Sequence, residues 1–183
     1  HHLPGPRLPA ADAIVNPNLP GDAFPSKALA GVGVVFYLLL ALRRRLFGDH
    51  PDRKDQTAAL HGRTSQEQRQ SPDLVTLLDL VAVGTVADLV PLDANNRALV
   101  AAGLRRLRAG QGCAGLRALI NACGRDEARL TAADIGFAIG PRINAAGRLE
   151  DMAQGIECLL SDDPQRAAEL AATLERINAQ RRN

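Results

Sequence analysis

The 183-residue sequence is poor in aromatic side chains, with no Trp, one Tyr and four Phe. A protein that grips single strands by base stacking needs exposed aromatic faces. Phe36, Tyr37 and Phe137 all fall within apolar, helical patterns, so the sequence predicts little stacking of its own. The net charge of +2 is too small to indicate a nucleic-acid partner by itself.

Cysteine is also scarce. Cys113, Cys123 and Cys158 are odd in number and lack C-x-x-C spacing, so we expect neither a disulfide framework nor a structural zinc site. This usage favours a reducing cytoplasm. The apolar run at 32–42 is too short to span a bilayer, and the sequence shows no signal peptide. We therefore expect no association with a membrane.

The first part of the chain predicts loops, one strand and one helix. Residues 1–25 are rich in Pro, Gly and Asn around a β-branched run at 13–15, which we interpret as a brief buried strand. A helix follows from about 27 to 46, capped by Ser26. Because it is apolar on nearly every side, it should lie in a core against a sheet. Residues 48–71 are polar and predict an exposed insertion whose histidines are solvated.

Capping and helix-ending residues predict five more helices, at 74–90, 95–109, 116–122, 131–139 and 163–183. Asp93 should cap the second of them, and Thr131 with Asp134 resembles a capping box for the fourth. Gly140-Pro141 should break that fourth helix. The last helix runs to the end of the sequence without a stop signal, so we expect the chain to be part of a longer protein.

Two places carry residue types typical of metal chemistry. His1 and His2 are adjacent, so one imidazole could bind a metal and the other serve a phosphate or a general acid–base step; a tag remnant is the alternative. Asp88 lies on an otherwise apolar helix, where a carboxylate is costly unless it is paired or bound to an ion such as Mg²⁺ or Mn²⁺. The alternative is a loop cap. Asp79, on roughly the opposite face of the helix, is interpreted as structural.

A third place could bind phosphate. Arg142, Asn144 and Arg148 stand among small residues in the segment 140–149, where a ligand can approach the backbone closely. Guanidinium groups bind phosphate oxygens through paired hydrogen bonds. The alternative is a tight connection between helices with solvated arginines.

Taken together, these segments resemble the RecJ-type, single-strand-specific exonucleases of the DHH phosphoesterase superfamily. The resemblance covers nearly the whole chain except 48–71. The segments that carry it occur in the family's order and read HHLPGP at 1–6, AIVNPN at 13–18, FPSKALAGVGV at 24–34, GTVADLVPLDANNR at 84–97 and GPRINAAGRL at 140–149.

The resemblance implies a 5′-to-3′ exonuclease that releases mononucleotides from single-stranded DNA in DNA repair and recombination. It implies a two-metal site for Mn²⁺ or Mg²⁺, with His1 and Asp88 as metal ligands and His2 as the second active-site histidine. Single-strand-binding protein and a helicase are the partners that the family suggests. The residues expected near the nucleic acid and its 5′ phosphate are Arg142, Asn144 and Arg148.

The implied fold is α/β and helix-rich, the later part of a DHH domain with a mainly parallel sheet. Residues 1–160 would belong to that domain, and 161–183 would begin a connecting helix towards a DHHA1 domain. The family's earlier aspartate segments are absent from the sequence, so we expect it to hold a minority of the active site. Two alternatives stay open: a DHH phosphodiesterase for short oligonucleotides or cyclic dinucleotides, and a non-catalytic, replication-associated binding module.

Overall fold

The computed structural model describes residues 1–48, 71–149 and 152–180, with the backbone alone at residues 146, 148 and 149. Most of the predicted insertion therefore lies outside the described residues. The α-helices are α1 Gly31–Phe47, α2 Leu78–Ala87, α3 Ala94–Arg108, α4 Ala114–Ala122, α5 Ala132–Asp134, α6 Gly140–Leu149, α7 Ala153–Leu160 and α8 Pro164–Gln180. Short 3-10 helices cover Leu74–Leu77 and Glu127–Arg129, and a π-helical turn covers Ile135–Ile139.

The structure differs from the predicted α/β fold because its described residues form no strand. The run at 13–15 is irregular and open to solvent, with Ile14 36% and Val15 57% exposed. A strand needs a neighbouring strand to receive its N–H and C=O groups, and residues 1–48, 71–149 and 152–180 supply none. The predicted buried strand is therefore absent here, and the parallel sheet is not confirmed.

The helix α1 is buried on one face only, although its sequence predicted burial on nearly every side. Phe36 packs into a small core cluster with Leu29 and Val81. An exposed apolar stripe runs along the opposite face, at helical spacing. It contains Val35, Leu38, Leu42 and Leu46. Within the part of the chain that is described, no helix combines the length and the apolar character needed to cross a membrane.

The main core lies among the later helices. Residues of α2, α3, α4, the π-helical turn, α7 and α8 form one buried cluster. The helix α8 packs against α4, α6 and α7 and buries a stripe of its residues at helical spacing. The buried residues of this stripe are Ala167, Leu170, Ala171, Leu174, Ile177 and Asn178.

Several predicted helix ends are confirmed. Asp93 caps α3 by accepting a hydrogen bond from the Asn96 N–H at 2.8 Å. Thr131 and Asp134 form a capping box at the start of α5. The prediction for Ser26 was wrong: it is buried and donates to Asp93 Oδ2 at 2.6 Å, and α1 begins at Gly31 without a side-chain cap.

The predicted break at Gly140-Pro141 was also wrong. Gly140 has helical dihedral angles (φ −53°, ψ −46°), and the helical backbone continues from the π-helical turn into α6. Proline in a regular helix lacks an N–H donor and its ring clashes with the carbonyl four residues earlier. The π-helical turn Ile135–Ile139 widens the helix at this point. Pro141 is therefore accommodated without ending the helix.

Candidate metal and nucleic-acid site

Asp88 lies at the end of α2. The helix ends at Ala87, Asp88 is its C-cap residue, and Leu89 adopts a left-handed backbone conformation with φ 57°. A non-glycine residue costs about 1–2 kcal/mol in that conformation. Leu89 recovers little of this by burial, because it is 85% exposed. The turn at Leu89 therefore ends the helix earlier than Pro91, which the sequence predicted as its stop.

His1 and Asp88 come together at the surface. His1 Nδ1 lies 3.3 Å from Asp88 Oδ2, and the two side chains are 20% and 38% exposed. The imidazole also lies beside the start of α1, where a side chain at Gly31 would approach His1 Cδ2 to 3.5 Å. The two predicted metal ligands, His1 and Asp88, are thus neighbours that a third group can approach.

The spacing of these two donors fits a shared divalent cation. Neighbouring ligands of an octahedral ion with bonds of roughly 2.1 Å lie about 3 Å apart. Imidazole and carboxylate are also a donor set that first-row ions such as Mn²⁺ accept. Among residues 1–48, 71–149 and 152–180, no group of three or more His, Cys, Asp or Glu could hold an ion. A cation site that used His1 and Asp88 would therefore need further ligands from outside the described residues.

A loop at 16–18 holds the backbone of both histidines. Asn18 Nδ2 donates to the His1 carbonyl at 2.8 Å, and Asn16 Nδ2 donates to the His2 carbonyl at 2.8 Å. The two imidazole rings lie 4.1 Å apart with a 40° angle between their planes, and His2 is exposed. This role of the asparagines was not predicted from the sequence. Their Asn-Pro-Asn motif was visible, but no spacing rule connects it to residues at the start of the chain.

Arg142 is placed differently from the two histidines. It is only 7% exposed, its Nε donates to Glu175 on α8, and its Nη1 donates to the Ala138 carbonyl at 2.7 Å. Because the helix is not broken at Gly140-Pro141, Arg142 lies within a continuous helical stretch and not at a helix end. Arg142 therefore lies buried in α6 and connects this helix to α8 through its ion pair with Glu175.

The other residues of this segment lie along the same helical stretch. Asn144 is exposed; Arg148 belongs to α6 by its backbone, and its side chain lies outside what the structure describes. The start of α6 packs on the end of α2, since a side chain at Gly140 would lie 3.3 Å from Ala87 Cβ. Phe137, assigned to an apolar pattern by the sequence, is 82% exposed on the π-helical turn.

Two further carboxylates near these elements have structural roles. Asp79 is buried and accepts the N–H of Cys113 at 2.7 Å, which joins α2 to the start of α4. This confirms the structural interpretation of Asp79. Asp93 accepts from Asn96 and from the Ser26 hydroxyl, and these hydrogen bonds hold the pKa of Asp93 below its ordinary value of 3.8.

Comparison with known proteins agrees with the family resemblance that the sequence motifs indicate. No family model matches the chain. The chain is 54% identical over 182 residues to the single-stranded-DNA-specific exonuclease RecJ of Dickeya dadantii, covering 100% of this chain and 30% of the relative. It is 40% identical over 181 residues to the protein of the same name from Bacillus subtilis, covering 99% of this chain and 20% of the relative. The resemblance to RecJ is confirmed.

Solved RecJ structures share the fold. RecJ from Thermus thermophilus in complex with Mn²⁺ matches with a TM-score of 0.77 and 37% identity, over 100% of this chain and 24% of that chain. An exonuclease RecJ bound to manganese matches with a TM-score of 0.76 and 38% identity, over 100% of this chain and 40% of that one. The helix-rich fold is therefore that of a RecJ region. The chain spans 30% of the length of its Dickeya dadantii relative.

Proposed function

We propose that this chain is part of a metal-dependent exonuclease that degrades single-stranded DNA from its 5′ end to mononucleotides, in DNA repair and recombination. The observation that carries the proposal is the 3.3 Å approach of His1 to Asp88. This approach brings an imidazole and a carboxylate together in a chain 54% identical over 182 residues to a protein named single-stranded-DNA-specific exonuclease, which supports their role as metal ligands. The relatives' structures with Mg²⁺ and Mn²⁺ support the same two ions for this site.

The roles within the site follow from position. His1 and Asp88 would ligate Mn²⁺ or Mg²⁺ in a two-metal site whose remaining ligands come from outside the described residues. Such ions lower the pKa of an attacking water and neutralise charge on the phosphoryl oxygens. His2 stays exposed beside His1, where its imidazole can hydrogen-bond a phosphate oxygen or exchange a proton with it.

Phosphate binding is assigned to Arg142, Asn144 and Arg148 in the α6 segment. A guanidinium has five N–H donors, so the contacts of Arg142 with Glu175 and Ala138 use only part of its capacity. The ion pair would orient the guanidinium plane, and a phosphate that reached its remaining N–H groups would add paired hydrogen bonds. Asn144 is exposed on the same helix and would contact the strand by its amide.

The domain assignment follows from the resemblance to RecJ. Residues 1–160 would be the later part of a DHH domain, and 161–183 would begin the connecting helix to the next domain. The exposed stripe on α1 supports the proposal of a sheet formed by residues outside the described ones. Its four apolar side chains at helical spacing form an apolar face of the kind that packs against a sheet. The cytoplasm is the compartment we expect for a DNA exonuclease with three free cysteines. Single-strand-binding protein and a helicase stay predicted partners.

The test is an exonuclease assay on the full-length protein that contains this chain. With Mn²⁺ and a 5′-phosphorylated single strand we expect mononucleotides, and with the same strand in a duplex we expect almost none. The 183-residue chain alone should be inactive, because His1 and Asp88 cannot complete a two-metal site. Cleavage of cyclic dinucleotides in preference to long strands would favour the alternative phosphodiesterase, and binding without hydrolysis would favour the non-catalytic module.

A further inference from the structure

The loop that carries Asn16 and Asn18 is fixed independently of the histidines. The Asn18 N–H donates to Asn16 Oδ1 at 3.0 Å, a local turn that sets the direction of the Asn16 side chain. Lys27 Nζ donates to the carbonyls of Pro17 and Asp22, each at 2.7 Å, and Pro17 is buried. The two side-chain amides therefore point towards residues 1 and 2 from a braced loop.

The histidines depend on those amides for their position. Residues 1–30 contain no helix or strand, so no regular ladder of hydrogen bonds fixes the backbone of His1 and His2. Asn18 and Asn16 each hold one carbonyl of this pair instead. With its carbonyl held, the His1 ring reaches Asp88 by its two side-chain torsions alone. Ligand groups must be held within about 0.5 Å of their productive positions, and a loose backbone does not provide that.

We propose that Asn18 and Asn16 are positioning residues, Asn18 for the cation ligand His1 and Asn16 for His2. The inference rests on the proposed function, since it gives the asparagines this role only if His1 binds a cation. Because each amide holds a different histidine, loss of the two amides should have different effects. Asn18 should govern affinity for the cation, and Asn16 should govern turnover once the cation is bound.

The experiment replaces each asparagine by Asp in the full-length protein. Aspartate keeps the shape of the side chain, and in Asn16→Asp it keeps the oxygen that accepts from Asn18, but it removes the amide donor. The added negative charge attracts cations, so a loss of cation affinity cannot come from the charge. Asn121→Asp is the matched control, because Asn121 is exposed on α4. Mn²⁺ binding is measured by calorimetry, and mononucleotide release is measured across Mn²⁺ concentrations.

We expect Asn18→Asp to weaken Mn²⁺ binding about tenfold, as for other residues that orient metal ligands, with turnover restored at saturating Mn²⁺. Asn16→Asp should keep its Mn²⁺ affinity within about twofold and lose about tenfold in turnover at saturating Mn²⁺. Asn121→Asp should change neither quantity. If Asn18→Asp does not fold, Asn18→Ala, which also lacks the donor, should give the same loss of Mn²⁺ affinity.

Three results would overturn the proposal in distinguishable ways. If His1→Ala lowers Mn²⁺ affinity but neither Asn18 variant does, the positioning role is wrong and the proposed function stands. If His1→Ala itself leaves Mn²⁺ affinity unchanged, the proposed metal site fails, and the inference fails with it. A lower thermal midpoint in both asparagine variants, with Mn²⁺ affinity and turnover unchanged per folded molecule, would show a role in folding only.

Discussion

His1 and Asp88 lie at the surface, with His1 held by a loop and Asp88 placed at the end of α2, whereas Arg142 is buried between two helices and bound to Glu175. The side chains of His1 and Asp88 are 20% and 38% exposed, and a hydrogen bond from Asn18 in the braced loop holds the backbone of His1. Arg142 is 9% exposed by side chain and is bound to Glu175 on α8. The two regions that the sequence assigned to one active site are therefore built in opposite ways.

This difference separates the two regions by what each contributes to the fold. A solvent-exposed pair such as His1 and Asp88 adds little to stability. Substitution of either residue should therefore change activity more than stability. A buried charge left without its partner costs several kcal/mol, so removal of Arg142 should affect the fold as well. Substitutions at the two regions, each with a matched control, test this separation.

The largest expected effect is on activity, at Asp88. In the full-length protein, Asp88→Asn should lower the rate of mononucleotide release on the order of 100-fold or more, since it removes a metal ligand rather than a residue that supports one. The thermal midpoint should stay unchanged or rise, because one carboxylate fewer remains in a metal-free acidic site. Single-turnover assays and thermal unfolding measure the two quantities.

Asp79 on the same helix is the control for Asp88. Asp79→Ala should destabilise the segment by about 1–3 kcal/mol, because it leaves the part-buried Cys113 N–H without its acceptor. The rate per folded molecule should stay close to that of the wild type. A large loss of rate in folded Asp79→Ala, or of stability in Asp88→Asn, would contradict the division between a structural and a functional carboxylate.

The next effect concerns Arg142. Arg142→Ala should lower the stability of α6 and α8 by about 2 kcal/mol, less than for a fully buried pair because the Glu175 side chain is 36% exposed. Hydrogen exchange of the amides in α6 and α8 measures this. The variant should also bind 5′-phosphorylated strands more weakly by about 1.5–3 kcal/mol, and strands with a 5′ hydroxyl much less weakly. Affinities are compared in Ca²⁺ at one salt concentration.

Glu175→Gln separates the two roles of Arg142. This variant loses the ion pair but keeps the arginine, so it should destabilise α6 and α8 while it still distinguishes a 5′ phosphate from a 5′ hydroxyl. Equal weakening of both strands by Arg142→Ala would show that the arginine serves the fold and does not read the terminal phosphate.

A smaller effect, on stability at low pH, is expected at Asp93. Its folded pKa lies below its ordinary value of 3.8 because Asn96 and Ser26 donate hydrogen bonds to it. The stability that it contributes is therefore complete above that ordinary value and is lost as the pH falls through the lower, folded pKa. As the pH falls through this range, the wild type should lose about 1 kcal/mol more stability than Asp93→Asn. Equal acid sensitivity of the two proteins in thermal unfolding would contradict the assignment.

The smallest effect is expected at Cys158. Burial raises the pKa of this thiol to about 11, and the side chain has no exposure. Only the thiolate reacts readily, so iodoacetamide at pH 8 should not modify Cys158 in the folded protein or change its activity. Modification at a rate close to that of free cysteine, measured by mass spectrometry, would show that this part of the core opens.

The sequence predicted helix ends well where the determining interaction is local. Asp93, Thr131 and Asp134 cap their helices within three residues, so the signal and its partner lie in one short stretch. The break at Gly140-Pro141 was mispredicted because the π-helical turn before it changes the hydrogen-bonding register. Periodicity and proline rules do not report such a turn.

The long-range features were harder to predict. The resemblance brought His1 and Asp88 to one site, but it did not predict that Asn16 and Asn18 hold the histidine backbone, since such contacts depend on how loops meet in space. Nor did it predict the burial of Arg142, because its partner Glu175 lies on another helix. The expected sheet is absent from the described residues, and the β-branched run at 13–15 that predicted a strand is irregular there.

The central claim is that His1 and Asp88 bind the same cation, and direct Mn²⁺ titration of the full-length protein tests it. We expect His1→Ala and Asp88→Ala each to weaken Mn²⁺ binding by about tenfold or more, since each removes a ligand. Asp79→Ala on the same helix should leave the affinity unchanged. Wild-type Mn²⁺ affinity in either His1→Ala or Asp88→Ala, in a protein shown to be folded, would contradict the claim.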